Sequence, residues 1–358
     1  MSRTRVLVVE DSATVRRRLV ETLAADPHID VIGEAEDGKQ AVELCTRYRP
    51  DVITMDMMMP VMSGLAATEY IMAHQPTPIL IVSASLNRGE LFKIYDALAA
   101  GAVDVLEKPT GDEVHGDWER RLLAEVKLVA KIKVITHPRA KLEARRRPLD
   151  IAAPGLCDAR QSPAPIDIVA IGASTGGPGA VVDVIRRIPA RFQIPILVVV
   201  HMNAPFGAAF TDWLDAQIER RASAPENGAP VASARGKVIV APGGQHLVVR
   251  GGRMFLTLDP ERHSCRPSVD VLFETIAADY GASAAACLLT GMGRDGALGL
   301  LKIRQSGGMT IAQDEATSVI YGMPREAALL GAATHVLPLS EIGPRLAALQ
   351  GPAMEAAQ

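Results

Sequence analysis

The chain is poor in aromatic residues, 4% of its 358, and holds only four cysteines. Cys45, Cys157, Cys265 and Cys287 are scattered, and no C-x-x-C joins any two of them. That spacing argues against a disulfide framework or a zinc site and reads all four as reduced core residues. No apolar run is long enough to span a bilayer, and "MSRTRVLVVEDS" meets charge too early for a secretory signal. No direct membrane insertion and a cytoplasmic location are thus expected. Excess positive charge is missing too: the formal net charge is -3, so the electrostatic footprint of a nucleic-acid binder is absent. What abounds is hydrophobic residues, 48% of the chain, dominated by alanine and valine among frequent glycines. That composition suits an α/β protein with close helix–sheet packing, and the length suits roughly two domains of ~150 residues each.

From Arg5 to Lys108, short β-rich apolar runs alternate with stretches of helical spacing. "RVLVVED", "DVIGEAE", "PDVITMD", "PILIVSA" and "AVDVLEK" read as strands, which predicts a parallel sheet with its chemistry at the carboxyl ends. Acids gather at those ends: Glu10 and Asp11 after the first strand, Asp56 after the third. Carboxylates so placed repel one another unless a hard divalent cation such as Mg²⁺ offsets them. Ser83 and Lys108 close the fourth and fifth strands, adding a hydroxyl and an ammonium. Together these groups describe phosphoryl transfer onto Asp56. Helix capping alone would explain isolated acids at strand ends, but not five groups in register on successive strands.

"VVEDS", "TMDMMMPVMSG", "VSAS" and "EKP" resemble the receiver domain of two-component response regulators. The resemblance implies Mg²⁺ at Glu10, Asp11 and Asp56 and the Met58 carbonyl, with Ser83 and Lys108 as the phosphoryl switch. It also implies a cis bond between Lys108 and Pro109. Val105 departs from it, standing where many receivers carry an aromatic switch residue.

Residues 1–135 form the expected receiver domain, ending in the helical "WERRLLAEVKLVAKIKV". Residues 136–165 are rich in proline, alanine and arginine without a sustained period and read as a linker. Residues 166–350 form the second domain.

That domain opens with "VAIGASTGGPGA", from Val169. A dinucleotide fingerprint fails, because Ser174 stands at its third position, and a P-loop fails, because no lysine follows the glycines. G-x-S-x-G from Gly172 to Gly176 fits instead, between a strand and a helix, the context of a nucleophile elbow. His201 directly follows the apolar "IPILVVV", which sets it at the same sheet edge as the candidate base. Asp295, in the Gly-rich loop of "AACLLTGMGRDGALGL", is the candidate orienting acid, and amides near Met292 are candidate oxyanion donors. The chain order Ser174, His201, Asp295 differs from that of α/β-hydrolases, so the scaffold is another one.

"IGASTGGP", "HM", "APGG", "RPSVDVLF", "LTGMGRDGA" and "AQDEATSVIYGMPREA" resemble the chemotaxis protein-glutamate methylesterases, over essentially the whole chain. The resemblance implies two doubly wound α/β domains: a five-stranded flavodoxin-like receiver and a mainly parallel esterase domain with a β-hairpin. It implies hydrolysis of glutamate methyl esters on chemoreceptor helices without a cofactor, with Thr175 and Met292 positioning groups at the oxyanion. It further implies a chemotaxis histidine kinase as phosphodonor, an unphosphorylated receiver that covers the esterase cleft, and in some members glutamine deamidation. Val200 departs from it, where a glutamine usually precedes the histidine. The rival reading is a phosphorylation-controlled binding module without catalysis. A DNA-binding response regulator is disfavoured, because the second half is too strand-rich and lacks a basic stripe.

Overall fold

The computed structural model describes residues 3–84, 88–109, 116–132, 134, 165–202 and 204–350. The chain divides into two compact units, Met1–Arg146 and Arg147–Gln358. Apart from its last residue, the expected linker lies outside the described residues.

In the first unit, strands β1 (Thr4–Val9), β2 (Ile29–Ala35), β3 (Val52–Met55), β4 (Ile79–Ser83) and β5 (Asp104–Glu107) alternate with five helices. These are α1 (Ala13–Ala24), α2 (Gly38–Tyr48), α3 (Gly64–His74), α4 (Arg88–Ala99) and α5 (Asp117–Val129). The strands pair in parallel in the order β2-β1-β3-β4-β5. Every residue of β3 and β4 is buried, as helices on both faces require. Each buried Val or Ile there contributes about 1.5–3 kcal/mol relative to exposure. Ser12, Asp37 and Ser63 start α1, α2 and α3 by accepting hydrogen bonds from amides three residues on. The strand order reverses between β1 and β3, which opens a crevice at their carboxyl ends. One expectation is corrected: among the described residues the cis peptide bond is Arg266–Pro267, and Lys108–Pro109 is trans. Proline narrows the cis–trans gap to about 0.5–1 kcal/mol and so permits cis without imposing it.

The second unit has strands β6 (Ile168–Ala173), β7 (Ile196–Val200), β8 (Ala222–Ser223), β9 (Val238–Val240), β10 (His246–Arg250), β11 (Arg253–Thr257), β12 (Ala284–Leu288), β13 (Met309–Gln313) and β14 (His335–Leu337). Its helices are α6 (Gly177–Arg186), α7 (Ala204–Gln217), α8 (Val269–Tyr280), α9 (Ala297–Gln305), α10 (Met323–Leu329) and α11 (Leu339–Ala347). Seven strands form one parallel sheet in the order β14-β13-β12-β6-β7-β9-β8, while β10 and β11 make a separate antiparallel hairpin. β6 and β7 are buried at every residue, the signature of central parallel strands. The chain leaves β6 toward β7 on one side and returns as β12 on the other, so the switch point lies at the carboxyl end of β6.

Candidate active site

Ala173 pairs with Val200, the last residues of β6 and β7, so Ser174 and His201 leave the sheet side by side. The His201 amide donates to the Ala173 carbonyl at 3.1 Å, which ties the two exits together. After Ser174 the chain turns sharply: Gly177 N–H donates to the Ser174 carbonyl at 2.6 Å, and Gly176 takes φ +74° before α6 begins. A side chain at Gly176 would be strained by that φ and would run into Val319. On the other side of β6, Ser174 N–H donates to the Thr290 carbonyl, and Gly291 fits against the serine so closely that a Cβ there would lie 2.7 Å from Ser174 Cβ. The Ser174 amide is therefore taken. The Met292 amide, one peptide beyond Gly291, has no hydrogen-bond acceptor among the described residues, and its side chain is half exposed. The Thr175 carbonyl accepts from the Thr290 hydroxyl at 3.1 Å, which fixes the peptide between Thr175 and Gly176.

Asp295 lies in the loop between β12 and α9 and is buried. Its carboxylate receives four donors: His201 Nε2 at 2.8 Å, Ser268 Oγ at 2.7 Å, and the amides of Val269 at 2.6 Å and Asp270 at 3.2 Å. Those two amides open α8, so the acid sits at the positive end of a helix dipole. Hydrogen bonds to a charged group contribute about 1.5–3 kcal/mol each, enough together to offset the cost of burying a carboxylate. Burial alone would raise the pKa of Asp295, but the His201, Ser268 and Val269 bonds prevail and hold it below the usual carboxylate value. An ionised carboxylate only accepts, so His201 Nε2 carries a proton and Nδ1 is the nitrogen left for base chemistry. Burial depresses the His201 pKa, yet Asp295 and Cys265 outweigh burial and push it up to about 9. No hydrogen bond joins the Ser174 hydroxyl to His201 among the described residues.

The groups that the sequence reading missed cluster around this pair. Cys265 is no core residue, unlike the buried Cys45 and Cys287. It is half-buried with Sγ 3.6 Å from His201 Nδ1, because a tight turn through Arg262 and Cys265 folds back over the histidine. Ser268 both caps α8 and binds Asp295, and a serine directly ahead of the apolar "VDVLF" is the sequence signal of such a cap. Asp270, buried within α8, accepts from the Gly299 amide in the first turn of α9 at 2.7 Å and faces His263 Nε2 at 3.1 Å. His246 is a structural histidine: it is buried at the start of β10 and accepts from Ser268 N–H at Nδ1.

In the first unit, Glu10, Asp11 and Asp56 bring carboxylate oxygens within 4.8 Å of one another. Lys108 Nζ stands 2.8 Å from Asp56 Oδ1 and 2.7 Å from Glu10 Oε2. The Glu10 contact is an ion pair outside hydrogen-bond geometry, so the buried Oε2 accepts no hydrogen bond. Burial, then the Asp56 charge, hold the Glu10 carboxyl above its ordinary value against the pull of Lys108. An all-oxygen set with one buried, underused acceptor fits a hard cation that keeps part of its water shell, such as Mg²⁺. Met58 follows closely, its amide donating to Asp56 Oδ2 at 3.3 Å. Ser83 is buried at the end of β4, and its carbonyl accepts from Lys108 N–H at 2.9 Å, joining the two positions expected to form the switch. Val105 sits within β5 opposite Ile81, half-buried, and Val200 is buried at the end of β7.

Comparison with known proteins places both units. Residues 6–115 match the response regulator receiver domain, and residues 169–346 match the CheB methylesterase. A protein-glutamate methylesterase/protein-glutamine glutaminase of Nitrosospira multiformis is 42% identical, over 95% of this chain and 95% of its own. A second protein of that name, from Anaeromyxobacter dehalogenans, is 41% identical over 94% of each. The crystal structure of the Thermotoga maritima CheB methylesterase catalytic domain is 37% identical and covers 51% of this chain and 98% of that one, with a TM-score of 0.49. The chain is thus a response regulator whose second unit is a hydrolase. It belongs to the CheB methylesterase family. No helix among the described residues is long and apolar enough to cross a membrane.

Proposed function

We propose that the chain hydrolyses glutamate γ-methyl esters on the cytoplasmic helices of chemoreceptors, releasing methanol and leaving glutamate, under control of phosphorylation at Asp56. The observation that carries the chemistry is the His201–Asp295 pair at 2.8 Å, on a strand end adjacent to the Ser174 turn. His201 takes the serine proton at Nδ1 as Ser174 Oγ attacks the ester carbonyl. Asp295 stabilises the imidazolium and fixes the ring, and the Met292 amide together with the Thr175 peptide receives the developing oxyanion. The imidazolium returns its proton to the leaving methoxide. Water then enters by the same base and releases the carboxylate. An amide in place of the ester gives glutamine deamidation by the same acyl-enzyme, as the double name of the relatives describes for them.

In the receiver, Asp56 takes the phosphoryl group from a chemotaxis histidine kinase, and Lys108 pairs with its charge while Ser83 meets a phosphoryl oxygen. Glu10, Asp11, Asp56 and the Met58 carbonyl would hold Mg²⁺, which supplies charge neutralisation for the transfer. The proposed domain limits are 1–135 and 166–350 with a linker between them, and the proposed location is the cytoplasm. Methanol release from methylated receptor membranes, measured with and without acetyl phosphate, tests the reading. Activity that survives Ser174→Ala, or that ignores phosphodonor in the wild type alone, would overturn the respective half.

A further inference from the structure

In the second unit the proposed base, His201, faces a thiol as well. His201 commits Nε2 to Asp295 at 2.8 Å, and its other nitrogen faces Cys265 Sγ at 3.6 Å. Thiol, imidazole and carboxylate thus stand in line, the order in which a histidine–acid pair activates a cysteine. The partner set of the thiol is consistent in both forms of the ring. With the ring charged, Nδ1–H donates to Sγ while the thiol proton points to the His263 carbonyl at 3.4 Å. With the ring neutral, the thiol donates to Nδ1.

The turn that presents Cys265 is built for that placement. Arg262 and Cys265 bond each other's backbones at 2.9 and 3.2 Å, and His263 and Ser264 between them take φ +53° and +59°. Left-handed backbone at two successive residues with side chains is costly and persists only when its surroundings hold it there. Here His263 is held by Asp270 at 3.1 Å, and Arg262 by a two-pronged pair with Glu274 at 2.7 and 2.8 Å. Cys265 is half-buried and so open to a small reagent, whereas Cys45 and Cys287 are buried.

We propose that Cys265 is a modification site for small soft electrophiles, hydrogen peroxide first among them, and that its oxidation switches off the hydrolase. A thiol yields its proton more readily than an alcohol and is the softer nucleophile. As Sγ attacks one peroxide oxygen, the S–H proton passes to His201 Nδ1. The S–O bond forms as the O–O bond breaks, and the departing hydroxide takes that proton as water. Sulfur is oxidised to the sulfenic acid by two electrons, and the peroxide is reduced by the same two. The added oxygen then occupies the space in front of Nδ1, the nitrogen that Ser174 needs. The loss of hydrolysis rests on the Ser174 reading, whereas the reactivity of the thiol does not.

The experiment uses the full-length protein with Cys157→Ser as the common background. Hydrogen peroxide is added with dimedone, and the adduct at residue 265 is followed by mass spectrometry of peptides. Methanol release is read beside it as a fraction of each protein's own untreated rate. Adduct should form at Cys265 in the background protein and at a similar rate in Ser174→Ala, but at least ~10-fold more slowly in His201→Ala. Peroxide without dimedone should abolish most hydrolysis, dithiothreitol should restore it, and Cys265→Ser should keep its own rate through the same treatment. Adduct formation that is indifferent to His201, or absent from residue 265, would overturn the shared base. Parallel inactivation of Cys265→Ser would overturn the switch. Failure of the Ser174 reading would show separately, as hydrolysis that survives Ser174→Ala while the adduct still forms.

Discussion

His201 turns Nε2 to Asp295 Oδ2 at 2.8 Å and so leaves Nδ1 as the nitrogen available for base chemistry. Replacing the acid by an amide keeps the shape but puts an N–H group where four donors converge. Asp295→Asn is therefore expected to lower kcat by about 10³–10⁴-fold, comparable to the effect of the same change in other serine hydrolases. Methanol release by the folded variant measures it, and a loss under tenfold would show that the pair does not act as base and acid.

The pH dependence follows from the same pair. The His201 pKa lies at about 9, raised from 6.5 because Asp295 and Cys265 outweigh burial, and only the neutral ring accepts a proton. kcat/KM is expected to climb roughly tenfold per pH unit from neutrality and to level near pH 9. Stability runs the other way. The folded state holds the proton more tightly than the unfolded chain, so this contribution is complete below about 6.5 and is lost as pH rises through about 9. A flat rate profile between pH 7 and 9 would contradict the assignment.

Ser268 makes two bonds with one hydroxyl, donating to Asp295 at 2.7 Å and accepting from Val271 N–H at 3.4 Å. Ser268→Ala should cost about 0.5–2 kcal/mol of stability as a lost helix cap and lower kcat more than KM. Ser268→Thr should recover most of both. Urea denaturation and steady-state kinetics on the three proteins separate a capping role from a positioning one.

Gly291 has the serine at its back. A Cβ there would stand 2.4 Å from Met323 Sδ and 2.7 Å from Ser174 Cβ. The methionine can swing away, whereas the serine backbone is pinned to Thr290. Gly291→Ala is expected to cost roughly 1–3 kcal/mol by overpacking and to reduce turnover out of proportion to that loss. Unchanged turnover would mean that the loop and serine can part without consequence.

In the receiver, acetyl phosphate and Mg²⁺ should label the wild type but not Asp56→Asn, and chelation should stop labelling. Lys108→Met should also impair labelling, since Lys108 is the cation held against both Glu10 and Asp56. Equal labelling of Asp56→Asn would move the phosphoacceptor elsewhere.

Much of this was legible in the chain alone. β6, "IVAIGA", and β7, "ILVVV", are apolar without interruption, as strands buried on both faces are, and the residues that follow them are Ser174 and His201. What the chain concealed was contact across distance. Cys265 and His201 are 64 residues apart and meet because a left-handed turn folds one over the other. The His201 nitrogen that faces the acid was equally hidden, since it depends on where α8 delivers its first amides. Backbone isomers escape sequence too: proline marks where cis is permitted, not where it occurs.

Asp295 and Asp270 exchange roles across two helices, for Asp295, just ahead of α9, receives the first amides of α8, and Asp270 on α8 receives the Gly299 amide of α9. The start of α8 cannot open without breaking a bond to Asp295, the acid that the imidazole leans on, and the start of α9 cannot open without breaking its bond to Asp270 on α8. Solvent deuterium should therefore reach the amides of Val269 and Asp270 only in openings that release Asp295 from α8 and so disturb the proposed His201–Asp295 pair. Their isotope-exchange rates become a clock for how often the protein loses its catalytic form, readable without any substrate.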